Sequence, residues 1–128
     1  MREMIAAWPF PSHIAGLSEN EIRDLLLAYL VSRGVEAVAE FPMGKGRVDM
    51  WLPAAAVVVE MKRRHQKAAR WVEQLRTYAA DDRVGGLLVV TCGGRSPAPV
   101  NTFAERIGSG WFVLGKPIES FELFHQRF

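Results

Sequence analysis

Gly46-Arg-Val-Asp-Met-Trp-Leu-Pro-Ala-Ala-Ala-Val-Val-Val-Glu-Met-Lys62 is the stretch whose reading decides the fold. Arg47–Leu52 alternates as a strand should, and Pro53-Ala54-Ala55 closes a turn. Ala56-Val57-Val58-Val59-Glu60-Met61-Lys62 is β-branched and almost wholly apolar until its end, as expected of a central strand covered on both faces. A four-residue turn over Pro53–Ala56 sets a register in which Asp49 directly faces Glu60. Opposed side chains have Cβ atoms only about 4.5–5.5 Å apart, and like charges there destabilise the strand pair. A hard divalent cation would compensate, because Mg²⁺ takes a few carboxylate oxygens and keeps its other positions for water and substrate phosphate. Lys62 lies two residues beyond Glu60, so the strand's two-residue period places its ammonium on the same face.

Upstream, Ser18 and Glu21 have capping-box spacing, and Ile22, Leu25, Leu26, Tyr29 and Leu30 form one helical stripe. The pattern predicts a helix from Ser18 to Ser32, ended by Gly34, then a strand over Val35–Phe41 and a flexible turn over 42–46. Downstream, Ala68, Trp71, Val72, Leu75 and Ala79 predict a second helix over 66–80, followed by a buried strand at Leu87–Thr91 between glycine pairs. Strand, helix, strand implies a right-handed parallel βαβ unit. Gly93–Pro99 reads as a loop, Asn101–Ile107 as a short helix and Trp111–Leu114 as a short strand; Ile118–Phe128 is apolar and ambiguous. The expected fold is α/β: a mixed central sheet flanked by helices, ordered αβββαβ, with a short C-terminal αβ extension, all in one domain over 1–128.

The 128 residues carry 16 Lys+Arg against 14 Asp+Glu, a net charge of +2, with 49% hydrophobic and 23% charged residues, which excludes a disordered tail. One cysteine, Cys92, excludes a disulfide framework, a four-cysteine zinc site and a cysteine-bound iron–sulfur cluster within one chain, and suits a reducing cytoplasm. The first residues do not read as a signal peptide, and the longest apolar runs fall far short of the roughly 20 residues that cross a bilayer. Gly110–Lys116 has phosphate-loop spacing, but its middle is an apolar strand and Pro117 replaces the magnesium-binding hydroxyl. His13, His65 and His125 show no paired ligand spacing, and no serine has a triad context.

Asp49, ten intervening residues and Glu60-Met61-Lys62 resemble the D…ExK signature of the PD-(D/E)XK nuclease superfamily, the restriction-endonuclease-like fold. Gly46-Arg47-Val48-Asp49 and Gln74-Leu75-Arg76-Thr77-Tyr78 resemble the G-x-x-D and Q-x-x-x-Y motifs of its RecB-type branch; the likeness covers about 18–90. The resemblance implies metal-dependent phosphodiester hydrolysis with Mg²⁺ or Mn²⁺ on Asp49, Glu60 and the Met61 carbonyl, while Lys62 orients or activates the water. It also implies that Gln74 and Tyr78 brace the site or touch the nucleic-acid strand. An acidic residue on the first helix often joins the metal in this family, and Glu21 matches; the same Glu21 stands where a capping box would use it.

Lys62, Arg63, Arg64, Lys67, Arg70 and Arg76 place six cations in fifteen residues beside this site, and Lys45 and Arg47 extend the patch. Such a cluster can neutralise several phosphates. The expected function is a Mg²⁺-dependent deoxyribonuclease, with DNA as partner and no membrane association. The alternatives are a Holliday-junction resolvase-like homodimer, with Trp111–Leu114 and Phe121–Phe128 as an apolar interface, and a non-catalytic nucleic-acid-binding module. A partner protein is a further expectation, because so short a chain has little room to read a long recognition site.

Overall fold

The computed structural model describes residues 2–9, 16–62, 67–92 and 99–123. Three helices, α1 (Arg2–Ala6), α2 (Glu19–Ser32) and α3 (Ala68–Ala79), accompany seven strands: β1 (Val38–Met43), β2 (Gly46–Leu52), β3 (Val57–Lys62), β4 (Gly86–Cys92), β5 (Glu105–Ile107), β6 (Gly110–Val113) and β7 (Lys116–Leu123). They form one sheet in the order β1-β2-β3-β4-β7-β6-β5. The pairings β3·β4 and β4·β7 are parallel and the others antiparallel, so the protein is mixed α/β. Pro42 is tolerated because β1 is an edge strand, where a missing donor breaks no ladder. No helix among the described residues is long and apolar enough to cross a membrane.

Each sheet face has its own core. Ile22, Leu26 and Leu30 of α2 pack with Met50, Leu52, Val59, Met61, Leu88 and Val90 on one side. Trp71, Leu75, Tyr78 and Ala79 of α3 pack with Val48, Trp51, Val58, Leu87 and Val89 on the other. Coverage on both faces explains why β3 and β4 are nearly continuous apolar runs. Ser18 caps α2 as expected. At the far end of α3, Lys116 donates to the carbonyls of Ala79 (2.9 Å) and Asp81 (3.0 Å), satisfying groups the helix leaves open.

The C-terminal third departs from the expected αβ extension. Asn101 lies in a single 3₁₀ turn, Val100–Thr102, and residues expected in a helix instead form β5. Gly108 (φ +64°) turns β5 back on β6, while Leu114 (φ +50°) and Gly115 (φ +77°) turn β6 back on β7. Two consecutive left-handed residues are what a two-residue hairpin turn requires, and they override weak helix propensity. The ambiguous tail becomes β7, inserted parallel beside β4, so Ile118 and Leu123 fill the core, with Val113 of β6 also buried. The expected interface residues 124–128 lie outside the described residues.

Gly44 (φ +61°) serves the site directly, because a Cβ there would meet Thr77 Cγ2 of α3 at 2.8 Å. Gly115 has a similar backbone and open space around it. Both Gly→Ala changes incur the left-handed penalty of about 1–2 kcal/mol. Gly44→Ala is expected to cost at least about 1 kcal/mol more than Gly115→Ala in urea unfolding, since it also forces the β1–β2 turn off α3; equal losses would show that the contact is unimportant.

Candidate active site

Asp49 and Glu60 lie where the β2–β3 ladder stops and the β1–β2 ladder skips a pair. The β2–β3 pairing runs in the expected register through Met50↔Val59 and then opens. Beyond that point the acids replace backbone acceptors: the Asp49 N–H donates to Glu60 Oε2 (3.3 Å), and the Met61 N–H donates to Asp49 Oδ2 (2.7 Å). On the other flank, the β1–β2 pairing passes from Ala39↔Met50 to Phe41↔Val48 without closing at Glu40, which adopts φ +54°. The side-chain alternation of β2 also changes phase here. Met50 and Leu52 face α2, whereas Val48 joins Trp51 on the α3 side. A strand's two-residue period forbids that arrangement unless the backbone is deformed between them, and the residue between them is Asp49.

Glu60 is only 1% exposed, and its Oε1 has no hydrogen-bond partner among the described residues. Burial pushes its carboxyl well above the usual carboxylate range; the Asp49 carboxyl, hydrogen-bonded beside it, adds to the rise, and the Lys62 ammonium opposes it. Lys62 Nζ sits 5.4 Å from the Trp71 ring centroid, a cation–π contact that keeps it on the α3 side of β3. Glu60 and Lys62 therefore share a face, as their spacing predicted.

Tyr78 is buried and donates to the Arg47 carbonyl (3.0 Å), tying α3 to β2 two residues before Asp49. Burial and the nearby Glu60 charge push its hydroxyl upward, while a hydrogen bond with Gln74 pulls it down. The five residues expected to carry the chemistry, Asp49, Glu60, Lys62, Gln74 and Tyr78, thus act on one another electrostatically. Between the 44–46 turn and α3 lies a cleft of about 600 Å³, walled by Lys45, Arg70, Gln74 and Tyr78. Arg47 and Lys67 are exposed, and Lys67 stands at the N-cap of α3. Arg63 and Arg64 lie outside the described residues.

Glu21 is where the expectations divided, and the structure gives it the capping role. Its Oε1 accepts from the Ser18 N–H (3.0 Å), and this backbone hydrogen bond lowers its pKa. Among the described residues no third Asp, Glu, His or Cys joins Asp49 and Glu60 in a metal-holding group, so Glu21 is not brought to them. Trp51 stacks on Phe41 (ring centroids 5.9 Å apart) and is buried, so it serves the α3-side core. Sequence reasoning missed Glu40, opposite Asp49, which ion-pairs with Arg23 of α2. Its strained backbone has no signature in the local residue pattern. Compared with protein-family models, with curated proteins and with solved structures, the chain matches none of them.

The donor set suits a hard cation. Two adjacent carboxylates, one with a buried oxygen lacking a partner, provide the one or two acidic ligands Mg²⁺ takes alongside water. Glu60 holds its proton more tightly folded than unfolded. Its contribution to stability is therefore fully present below the unfolded pKa, about 4.3, and is lost as pH rises through the raised folded value. In EDTA the wild-type melting temperature should fall from pH 5 toward neutrality, while Glu60→Gln should be flatter and more stable at pH 7. Mg²⁺ should raise the wild-type value at pH 7 and leave the variant's unchanged. Superimposable calorimetric pH profiles would refute this electrostatic picture.

Proposed function

We propose that this chain is a metal-dependent nuclease with a restriction-endonuclease-like core, hydrolysing phosphodiester bonds in DNA. The observation that carries the reading is the Asp49–Glu60 pair at the opened β2–β3 ladder, with Lys62 on the Glu60 face. Support also comes from the element order α2-β1-β2-β3-α3-β4, which repeats the αβββαβ core. The sequence resemblance, which named Asp49, Glu60, Lys62, Gln74 and Tyr78, is the source of the nuclease assignment.

In this reading Asp49, Glu60 and the Met61 carbonyl would hold Mg²⁺ or Mn²⁺, and the ion, when bound, would supply Lewis acidity toward the phosphoryl group and acidify the attacking water. Lys62 orients the attacking water and offsets negative charge developing on the phosphorane oxygens; Trp71 limits the excursions of its ammonium. Tyr78, itself hydrogen-bonded to Gln74, ties α3 to the Asp49 strand, a positioning role. Lys45 and Arg70 flank the cleft and neutralise backbone phosphates without reading bases. The buried Glu60 and its hydrogen-bonded neighbour are assembled before substrate arrives, so the carboxylates need little reorganisation.

Labelled single-stranded, duplex and four-way-junction DNA, incubated with Mg²⁺, Mn²⁺ or EDTA, test the proposal. Wild type should cut with either metal and not in EDTA. Glu60→Ala and Lys62→Ala should each lower the rate by at least about 10²–10³-fold, the scale of losing a preorganised charge-stabilising group. Salt-sensitive binding with no cutting under any condition would favour a nucleic-acid-binding module instead. Junction-selective cutting by a dimer would favour the resolvase-like alternative.

A further inference from the structure

Beside the acidic pair, on the same sheet face, lies a second cavity of about 560 Å³ at the carboxyl ends of β4 and β7. Thr91, Ser120 and Glu122 project from the sheet into it, and Asn101 and Trp111 stand at its sides. The Thr91 hydroxyl is the telling group. Thr91 is 1% exposed, and its Oγ1 has no hydrogen-bond partner among the described residues. A buried polar atom left without a partner is destabilising, and a ligand's donor or acceptor would relieve it.

Position links this cavity to the site. Lys62 pairs with Thr91 across β3–β4, and Thr91 pairs with Glu122 across β4–β7. At about 4.8 Å per strand, Glu122 lies roughly 10 Å from Lys62, within reach of the nucleotide next to a phosphate held at Asp49 and Glu60. The lining is wrong for phosphate, because the Glu122 carboxylate would repel it. It suits a base: the indole of Trp111 forms part of the wall, steadied by Arg106 5.8 Å from its ring centroid, and the rest of the lining, apart from Glu122 and the apolar Pro99 and Val100, is polar but uncharged.

Building on the nuclease reading, we propose that this cavity is a base subsite taking an unpaired guanine adjacent to the scissile phosphate. Guanine presents two neighbouring donors, N1–H and the 2-amino group, which match the two oxygens of one carboxylate. Thymine offers one N–H between two carbonyls. Adenine and cytosine each set an amino group beside a bare ring nitrogen, which opposes the second carboxylate oxygen. Thr91 and Asn101 supply hydroxyl and amide partners for the remaining edge. In a duplex the guanine edge is already paired with cytosine, so the subsite takes single-stranded or extruded nucleotides.

The test measures fluorescence anisotropy of the intact protein, in Ca²⁺, with a nine-residue oligothymidylate and with the same oligomer carrying one central guanine. Wild type should bind the guanine oligomer about tenfold tighter, as for a good bidentate base contact. Glu122→Gln and Thr91→Val should both bring that ratio below about threefold. Glu122 is exposed and Thr91→Val is nearly isosteric, so both variants should fold. Equal wild-type affinities, or an unchanged ratio in both variants, would overturn the subsite. Cutting of the same oligomers in Mg²⁺ is scored separately. Guanine preference without cutting upholds the subsite and defeats the nuclease reading; cutting without preference does the reverse; absence of both defeats both.

Discussion

The structure depends on an interrupted ladder. In the middle of β2 and toward the carboxyl end of β3, backbone carbonyls give way to two carboxylates, each accepting the N–H of the facing strand. That exchange keeps both amides satisfied while the strands separate, which a plain ladder could not do. It also fixes where the carboxylates point, since each must stay on the opposite backbone to avoid orphaning a donor. Flanking features follow from it: the phase change of β2, the left-handed Glu40 on β1, and the close seat of α3, tied by Tyr78 to Arg47 and by glycine at position 44 to Thr77.

Energetically this is a poor way to build a sheet. Burying an acid beside another acid incurs desolvation and like-charge repulsion at once, and both push the Glu60 carboxyl pKa upward. Uncharged residues of similar size would make a more stable protein, as replacements of buried ionic groups often do. Lys62 offsets only part of the repulsion, from a position braced by Trp71. Departures from local consistency of this kind concentrate at sites kept for chemistry. Among the described residues the Glu60 oxygen and the Thr91 hydroxyl without partners lie on one sheet face, the face that also carries Lys62.

Much of this geometry was legible from residues 46–62. The turn length fixes the hairpin register, and register with a two-residue period places Asp49, Glu60 and Lys62. The helices were legible because Ser18 and Glu21 form a capping box and the apolar stripes of α2 and α3 have helical spacing. Two features were not. The β2 phase change is invisible because Met50, Trp51 and Leu52 are all apolar and both faces are covered, so no alternation marks which face each takes. β7 was obscured by its own role: Ser120 and Glu122 occupy positions where a core strand would be apolar, and they line a cavity instead. Around Asn101 to Ile107, helix-compatible residues yield to hairpins set by backbone signs at Gly108, Leu114 and Gly115, which short-range propensity does not capture.

The most direct measurement is a crystal structure grown in Mn²⁺ with anomalous scattering data. A single manganese peak between the Asp49 and Glu60 carboxylates, with the Met61 carbonyl and waters completing its shell and Lys62 standing clear, is the predicted result. No peak at that position in Mn²⁺-saturated crystals, with the Lys62 ammonium bridging the two carboxylates, would contradict it and reduce the pair to a buried salt bridge.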